Sequence, residues 1–206
     1  TLATVYEEYL GCKSDGVFVE VGAYDGSSIS NTAFLADMGW RGLYVEPVPE
    51  YEKICRQRHK NNQVVTRQLA VGSKISRIRI NIGGDISTTL DNPKAFYESI
   101  GFPDEAKKHT GKSVLVNQVK LDALLKSENV PPKFDLLVMD TEGTEWEILR
   151  AFKINRWMPK MVIVEMHENS LDWNKSDVIR SSNTLINQYF RKAHYTKIYS
   201  DDINTI

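Results

Sequence analysis

The sequence predicts an α/β fold with a mostly parallel central sheet and helices on both of its faces. Short, strongly apolar runs suited to buried strands recur along the chain, and segments with apolar residues at helical spacing separate them. Strands and helices that alternate in this way form parallel sheets through right-handed crossovers. The 206 residues contain no repeat and no linker rich in Gly or Pro, so we expect a single domain over residues 1–206.

The predicted strands are short runs rich in Val, Ile, Leu, Phe and Tyr, and most of them end at Gly, Pro or an acidic residue. One of them, residues 75–82, alternates apolar and polar side chains, which is typical of a half-exposed strand. In chain order the predicted strands cover residues 17–21, 42–46, 63–71, 75–82, 113–119, 134–139, 161–166 and 195–199.

The predicted helices carry apolar residues three or four positions apart. The first ends before Gly39, a residue suited to a helix C-terminus. In chain order they cover residues 29–38, 50–60, 95–100, 121–125, 142–152 and 181–192. Residues 83–112 interrupt the alternation and are too long for a simple connector, so we expect a lid-like insertion there.

Charge and composition exclude several classes of protein. Lys and Arg number 26 against 27 Asp and Glu, whereas proteins that bind nucleic acid through its phosphates carry a large basic excess. We therefore expect no nucleic-acid partner. No stretch approaches the ~20 apolar residues of a membrane span, and no signal peptide is recognisable. We expect a cytoplasmic protein, and leave open a targeting or anchor segment upstream of Thr1. Cys12 and Cys55 fit no metal-ligand spacing and should be free thiols, with one disulfide as the alternative.

Acidic side chains cluster at or just beyond the ends of four predicted strands. Ligands of open α/β sheets bind beyond the carboxyl ends of the strands, near the switch in strand order. Acidic groups at this edge suit a ligand with a cationic centre or with ribose hydroxyls. The acidic residues are Glu20, Asp25, Glu46, Asp140, Glu142 and Glu168, the last of which follows His167.

The turn after the first predicted strand has the sequence GAYDG, residues 22–26. Glycine at position 22 lets the backbone approach a ligand closely, and Glu46, some two dozen residues later, can accept hydrogen bonds from ribose hydroxyls. The two glycines do not form the dinucleotide motif G-x-G-x-x-G, which disfavours an NAD-dependent oxidoreductase. The alternative is an ordinary strand-to-helix turn in which Asp25 or Ser27 caps the helix.

Four sequence motifs match those of one family and occur in the same order along the chain. They are VEVGAYDG (19–26), LYVEP (43–47), VKLDALL (119–125) and DLLVMDTEG (135–143), and Glu145 completes a D-x-E-G-x-E pattern. Together they resemble the FkbM family of S-adenosylmethionine-dependent methyltransferases over roughly residues 17–168. The motif GAYDG, together with SNT (30–32) and GWRGL (39–43), also resembles the sequences of a branch that includes Star-type proteins of animals, in which methyl transfer is not assured.

This resemblance implies a Rossmann-like class I methyltransferase fold and S-adenosylmethionine as the cofactor, with S-adenosylhomocysteine as its product. The turn that begins at Glu20 would hold the methionine moiety, and Glu46 would bind the ribose hydroxyls. Other residues would border the adenine or lie near the methionyl ammonium and the sulfonium. The cofactor-binding residues so implied are Glu20, Gly22, Ala23, Tyr24, Asp25, Gly26, Glu46, Pro47, Ala70, Val71, Asp140 and Thr141.

The reaction implied is O-methylation of a hydroxyl on a carbohydrate or a glycosylated small molecule. The sulfonium is already reactive, so the protein must mainly align the hydroxyl and help to remove its proton. His167 is the preferred base because its ordinary pKa lies near neutrality. Glu142 and Asp140 are the other catalytic candidates. The alternatives are a His167 that is hydrogen-bonded into its loop and a Glu142 that only stabilises a helix N-terminus.

A metal site is considered but not predicted. Asp140, Glu142, His167 and Glu168 offer the oxygen-rich ligand set that Mg²⁺ or Ca²⁺ prefers, yet their spacing is not diagnostic. The alternative function is a non-catalytic, Star-like interaction domain that keeps the methyltransferase fold. The oligomeric state does not follow from the sequence.

The residues around the predicted site allow weaker inferences. Lys107, Lys108, His109 and Lys112 of the insertion could meet an acidic substrate, although a solvated charged face is the favoured interpretation. Trp173 could stack on a sugar ring, whereas Trp40, Trp146 and Trp157 are expected to be packing residues.

Overall fold

A computed structural model describes residues 2–11, 13–170 and 172–206. Its strands are β1 (Val17–Val21), β2 (Arg41–Val45), β3 (Val64–Arg67), β4 (Ala70–Val71), β5 (Ser76–Asn81), β6 (Ser113–Val119), β7 (Leu136–Met139), β8 (Met161–Glu165) and β9 (Asn204–Thr205). Its helices are α1 (Leu2–Leu10), α2 (Ala33–Asp37), α3 (Pro49–Arg58), α4 (Pro93–Ser99), α5 (Pro103–Lys108), α6 (Leu121–Ser127), α7 (Glu145–Leu149), α8 (Ile154–Trp157) and α9 (Asp177–Lys192). Short 3₁₀ helices cover Gly84–Ile86 and Trp173–Lys175.

The main sheet has six strands in the order β3-β2-β1-β7-β8-β9. Every neighbouring pair is parallel except β8 and β9, which are antiparallel. The chain builds outward from β1 to β3 on one side and then returns to place β7 and β8 on the other side. The switch in strand order therefore lies between β1 and β7, where ligands of open α/β sheets bind. A smaller sheet of order β4-β6-β5 flanks the insertion.

Both faces of the main sheet are buried under helices. Successive residues of a strand point to opposite faces, and along β1 Phe18 and Val19 accordingly belong to different apolar clusters. Side chains from α6, α7 and α9 cover the face of Val19, and side chains from α1, α2 and α3 cover the face of Phe18. This packing explains why β7 and β8 are apolar along nearly their whole length. The predicted α/β architecture is confirmed.

Two predicted strands are wrong in detail. Residues 63–71 form two strands in different sheets, because the chain turns between them, where the Leu69 N–H donates to the Arg67 carbonyl at 3.1 Å. Residues 195–199 are not a strand. The Ile198 N–H donates to the carbonyl of Ile206 at 2.8 Å, and the strand beside β8 is β9.

Three predicted helices also need correction. The helix predicted over 29–38 begins at Ala33, because the Ser30 hydroxyl accepts hydrogen bonds from the Thr32 and Ala33 N–H groups and holds the preceding turn. The helix predicted over 142–152 begins at Glu145, since Glu142 has a φ of 53° that no helix accepts. The insertion contains two helices, α4 and α5, rather than one over 95–100, and α1 and α8 lie in segments for which no helix was predicted.

The packing expectations largely hold. Trp40 and Trp157 are 1% and 4% exposed, and Trp146 packs half-buried against the cluster under α9. Cys55 is a buried free thiol, while Cys12 lies outside the described residues. Among the helices of the described residues, none has the length and apolar character needed to cross a membrane.

Candidate functional site

A cavity of about 450 Å³ opens at the carboxyl ends of β1, β2 and β7, at the switch in strand order. Most of the residues predicted to bind the cofactor line it, together with Glu142. Glu20, Ala23, Asp25 and Gly26 are not among its lining residues. The predicted residues on its wall are Gly22, Tyr24, Glu46, Pro47, Ala70, Val71, Asp140, Thr141 and Glu142.

Gly22 brings the turn after β1 against the end of β7. Its φ is +88°, a conformation that favours glycine, and a Cβ at this position would lie 1.6 Å from the carbonyl oxygen of Asp140. The Asp140 N–H in turn donates to the Val21 carbonyl at 3.0 Å. The two strand ends are thus fixed side by side, with their backbone on the wall of the cavity.

Glu46 lies directly after β2 and is only 5% exposed. Its Oε2 accepts the Tyr24 N–H at 2.9 Å, and its Oε1 accepts the Val48 N–H at 2.8 Å. Burial raises the pKa of Glu46 to about 7, although these two bonds oppose the shift. Each carboxylate oxygen can accept a further hydrogen bond, so Glu46 can receive two hydroxyl donors from a ligand.

The predicted turn residues that do not line the cavity shape the turn. Glu20 accepts hydrogen bonds from the hydroxyls of Ser30 (2.8 Å) and Thr32 (2.5 Å), and burial raises its pKa to about 7. Asp25 accepts the N–H groups of Ser27 and Ser28 at 2.8 Å each, which closes a local turn. The alternative that Asp25 or Ser27 caps the helix is wrong, because α2 begins only at Ala33 and its N-cap residue is Thr32. The first strand end therefore rests on a network of hydrogen bonds behind the cavity wall.

A cluster of three carboxylates lies at the ends of β7 and β8. Oxygen atoms of Asp140, Glu142 and Glu165 all lie within 4.8 Å of one another. Burial, together with the charges of neighbouring carboxylates, raises the pKa of Asp140 to about 6 and the pKa values of Glu142 and Glu165 well above their ordinary range. Carboxylates this close can share a proton or hold a cation.

Glu145 shapes the loop that carries Glu142. It is 6% exposed, and its Oε1 accepts the Thr141 N–H at 2.8 Å, the Thr141 hydroxyl at 2.7 Å and the Gly143 N–H at 3.3 Å. A first-turn carboxylate interacts with the helix dipole without such specific bonds, whereas Glu145 accepts three hydrogen bonds from the preceding loop. Glu145 fixes the loop between β7 and α7, which holds four residues of the cavity wall: Asp140, Thr141, Glu142 and Thr144.

His167 is fully engaged and is not a lining residue of the cavity. Its Nε2 lies 2.7 Å from Glu165 Oε1 and its Nδ1 lies 3.2 Å from the Asp202 carbonyl oxygen. Its ring stacks on Trp173 with centroids 4.0 Å apart, so one face of that indole is covered. Burial lowers the pKa of His167 and raises that of Glu165. A neutral ring that donates from Nδ1 and accepts at Nε2 from protonated Glu165 satisfies both contacts.

A model of the methyltransferase FkbM domain matches residues 20–196 of the chain. The chain belongs to the FkbM methyltransferase family. The solved FkbM methyltransferase from Methylobacillus flagellatus is similar in fold, with a TM-score of 0.53 and 15% identity over 93% of this chain. The chain spans 42% of the length of that protein. The fold is thus that of the class I S-adenosylmethionine-dependent methyltransferases.

Two further solved structures are similar to this FkbM-family chain. The precorrin-6Y C5,15-methyltransferase from Geobacter metallireducens is 13% identical, covers 96% of this chain and 72% of its own, and has a TM-score of 0.49. Fibrillarin from Aeropyrum pernix, solved with S-adenosyl-L-methionine bound, is 11% identical, covers 94% of this chain and 67% of its own, and has a TM-score of 0.47. No curated protein matches the chain significantly.

Several other site candidates of this FkbM-family chain lie away from the carboxylate cluster. Glu168 accepts hydrogen bonds from Asn187 and Lys197 at 2.5 Å each, so it does not join the Asp140 and Glu142 carboxylates as a fourth ligand. Lys107 and Lys108 form ion pairs inside the insertion, with Asp104 and Asp85. These pairs correspond to the charged face that the sequence favoured over an acidic-substrate site.

Glu165 is the site residue that the sequence reasoning missed. It lies in the run MVIVEM (161–166), which the sequence predicts as a core strand. A carboxylate within such an apolar run is unusual, since a buried charge needs a partner. That single feature could have marked it. Tyr97, which donates to Glu142, carries no comparable signal in the sequence.

Proposed function

We propose that this FkbM-family chain is an S-adenosylmethionine-dependent O-methyltransferase whose acceptor is a hydroxyl of a carbohydrate or a glycosylated small molecule. The observation that carries the proposal is the convergence of Gly22, Glu46 and Asp140 on one cavity at the switch in strand order. The non-catalytic, Star-like interpretation does not require these three residues to meet.

The residues present fit the cofactor. The close approach of Gly22 to Asp140 places the backbone of two strand ends on the cavity wall, where an extended ligand can lie, and buried Glu46 offers acceptors for the two ribose hydroxyls. Apolar Ala70 and Val71 line the cavity beside Pro47, where a flat aromatic base can pack. The carboxylate of Asp140 suits the ammonium group of the methionine moiety.

The chemistry then needs alignment and one proton acceptor. When bound, S-adenosylmethionine supplies an electrophilic methyl carbon on a sulfonium that leaves as a neutral thioether. The acceptor oxygen forms the new C–O bond as the S–C bond breaks, and its proton passes to a base on the protein. Among the three catalytic candidates, Glu142 and Asp140 line the cavity and His167 does not. We assign the base to Glu142, because its carboxylate lies on the cavity wall and its Oε2 is held by the Tyr97 hydroxyl at 3.0 Å, whereas Asp140 suits the ammonium group. Burial and the charge of Asp140 raise the pKa of Glu142, so its ionised form is a stronger base than an ordinary carboxylate.

Calorimetry with S-adenosylhomocysteine tests the cofactor site. Glu46→Gln should weaken binding by about 10- to 100-fold, since a hydrogen bond to a charged group contributes ~1.5–3 kcal/mol. Glu50→Gln, an exposed change on α3, is the matched control and should bind like the wild type. Wild-type protein that binds neither S-adenosylhomocysteine nor S-adenosylmethionine would contradict the proposal.

Acceptor activity is tested with labelled S-adenosylmethionine and a panel of methyl glycosides and glycosylated small molecules. Label should appear on a hydroxyl oxygen, and Glu142→Gln should lower kcat by about 10²- to 10⁴-fold. His167→Ala should lower kcat much less. Cofactor binding without methyl transfer to any member of the panel would favour the Star-like alternative.

A further inference from the structure

The insertion over residues 83–112 packs around its own apolar cluster rather than hanging as a loose flap. Ile86, Tyr97, Ile100 and Ala106 are buried together. Trp173 packs against this cluster from outside the insertion and also stacks on His167. The insertion is therefore joined to the end of β8 by a continuous set of packed side chains.

The same insertion holds Glu142 at two points. The Tyr97 hydroxyl donates to Glu142 Oε2 at 3.0 Å, and the Thr88 hydroxyl donates to the Glu142 carbonyl oxygen at 2.8 Å. Glu142 has a φ of 53°, a left-handed conformation that costs a non-glycine residue free energy and persists only where its surroundings fix it. The two hydroxyls come from the insertion, and they fix both the side chain and the backbone of Glu142.

Tyr97 cannot easily turn away from this contact. It is 1% exposed, its ring lies nearly parallel to that of His109 with centroids 5.5 Å apart, and the edge of Trp173 meets it at 5.8 Å. A buried tyrosine hydroxyl needs a hydrogen-bond partner, and Glu142 provides it.

The charges around Glu142 make this contact important. Asp140, Glu145 and Asp85 are the acidic groups whose charges act on Glu142 and repel its ionised form, and Glu165 lies beside it in the same cluster. Among the described residues, the Tyr97 hydroxyl is the side-chain donor that reaches its carboxylate. Without that donor, repulsion favours rotamers that carry the carboxylate away from the cluster, and an aligned base becomes a mobile one.

We propose that Tyr97 is a positioning residue for methyl transfer, which holds the Glu142 carboxylate toward the acceptor and makes the insertion part of the catalytic apparatus. This inference rests on the proposed function and on the role of Glu142 in it. It assigns to residues 83–112 a task beyond covering the acceptor.

A double-mutant cycle tests the proposal, with the methyl glycoside that the wild type turns over fastest as acceptor. Tyr97→Phe should lower kcat about 10-fold or more, because a misaligned base contributes less. The dissociation constant of S-adenosylhomocysteine should change by less than about twofold, since Tyr97 is not among the cavity-lining residues. In the Glu142→Gln background, Tyr97→Phe should cause no further fall in kcat. Tyr189→Phe is the matched control, because it removes the hydroxyl of a half-buried tyrosine that donates to the Phe152 carbonyl at 2.7 Å, and its kcat should equal that of the wild type.

Two outcomes of the cycle overturn the proposal. One is an unchanged kcat in Tyr97→Phe, and the other is an equal fall of kcat in the presence and in the absence of Glu142.

If the wild type transfers no methyl group, the proposed function fails on its own, and amide hydrogen exchange then decides whether Tyr97 holds Glu142. Tyr97→Phe should speed exchange of the 141–144 amides about 10-fold while Tyr189→Phe leaves it unchanged. Equal exchange in all three proteins would refute the positioning role.

Discussion

Replacing Gly22 by alanine should damage the fold and the cavity together, and the structure allows the effect to be estimated. The new methyl carbon would lie 1.6 Å from the Asp140 carbonyl oxygen, so one strand end must move by roughly 2 Å to restore an ordinary contact. The left-handed backbone adds about 1–2 kcal/mol for a residue with a Cβ, and forced displacement in a packed region adds about 1–3 kcal/mol. We expect a total loss of about 2–5 kcal/mol.

Gly111→Ala separates the two contributions. Its φ of +84° is close to the +88° of Gly22, but a Cβ there meets nothing within 4 Å. This control should lose only the backbone contribution, about 1–2 kcal/mol. Urea unfolding followed by tryptophan fluorescence measures both losses, and calorimetry with S-adenosylhomocysteine should show weakened binding for Gly22→Ala alone. Equal losses of stability in the two variants would refute the inference that Gly22 is required for close approach to Asp140.

Three further predictions concern stability and reactivity. The free energy of unfolding of the ligand-free protein should fall as pH rises from about 4 to about 7, because burial raises the pKa of Glu46 to about 7 and ionisation then penalises the folded state. Urea titrations at both pH values should show that Glu46→Gln removes roughly 3 kcal/mol of that fall, and an equal fall in the variant and the wild type would contradict this. Asp135→Asn should lower the free energy of unfolding by about 2–4 kcal/mol in the same assay, because this carboxylate is 6% exposed and pairs with two lysines. Asp104→Asn, which breaks an exposed ion pair, should leave the free energy of unfolding unchanged. Cys55 should resist iodoacetamide in the folded protein and react on unfolding, as peptide mass spectrometry would show, because it is 0% exposed and burial raises its pKa to about 12.

The sequence predicts the central strands well because their burial leaves a strong pattern. β1, β7 and β8 are covered on both faces, and each is a nearly unbroken apolar run, while β2 is buried and apolar over residues 43–45. The strands at the edges of the sheets are harder to predict. Residues 63–71 read as one strand, yet a turn at Arg67 divides them between two sheets. Only long-range pairing, to β2 on one side of the turn and to β6 on the other, decides where such a run breaks.

The first residues of helices are hard to predict for a related reason. The amides that begin a helix need acceptors, and short polar side chains can supply them before the helix forms. Ser30 accepts two such amides and delays the helix that was predicted from residue 29 until Ala33. Apolar spacing cannot reveal this competition, because the residues involved are polar and their partners depend on the three-dimensional turn.

The candidate site shows the same division between local and long-range information. Glu46, Asp140 and Glu142 were found because strand ends in open α/β sheets share one edge, which the order of elements already predicts. The contact between Tyr97 and Glu142 spans 45 positions and depends on how the insertion packs. No periodicity connects the two residues, so this contact could not be derived before the structure.

The balance of 26 basic and 27 acidic residues hides an uneven distribution that bears on function. Within the insertion, Lys107 and Lys108 are paired with nearby carboxylates and contribute little net field to the cavity. At the strand ends, Asp140 and Glu142 have no cationic side chain bonded to them among the described residues, and burial keeps their pKa values high. A buried carboxylate in this state gains most from a proton or from a ligand that brings positive charge. The proposed cofactor carries positive charge on its ammonium and its sulfonium, so the same desolvation that disfavours ionised Asp140 and Glu142 favours binding of that cofactor.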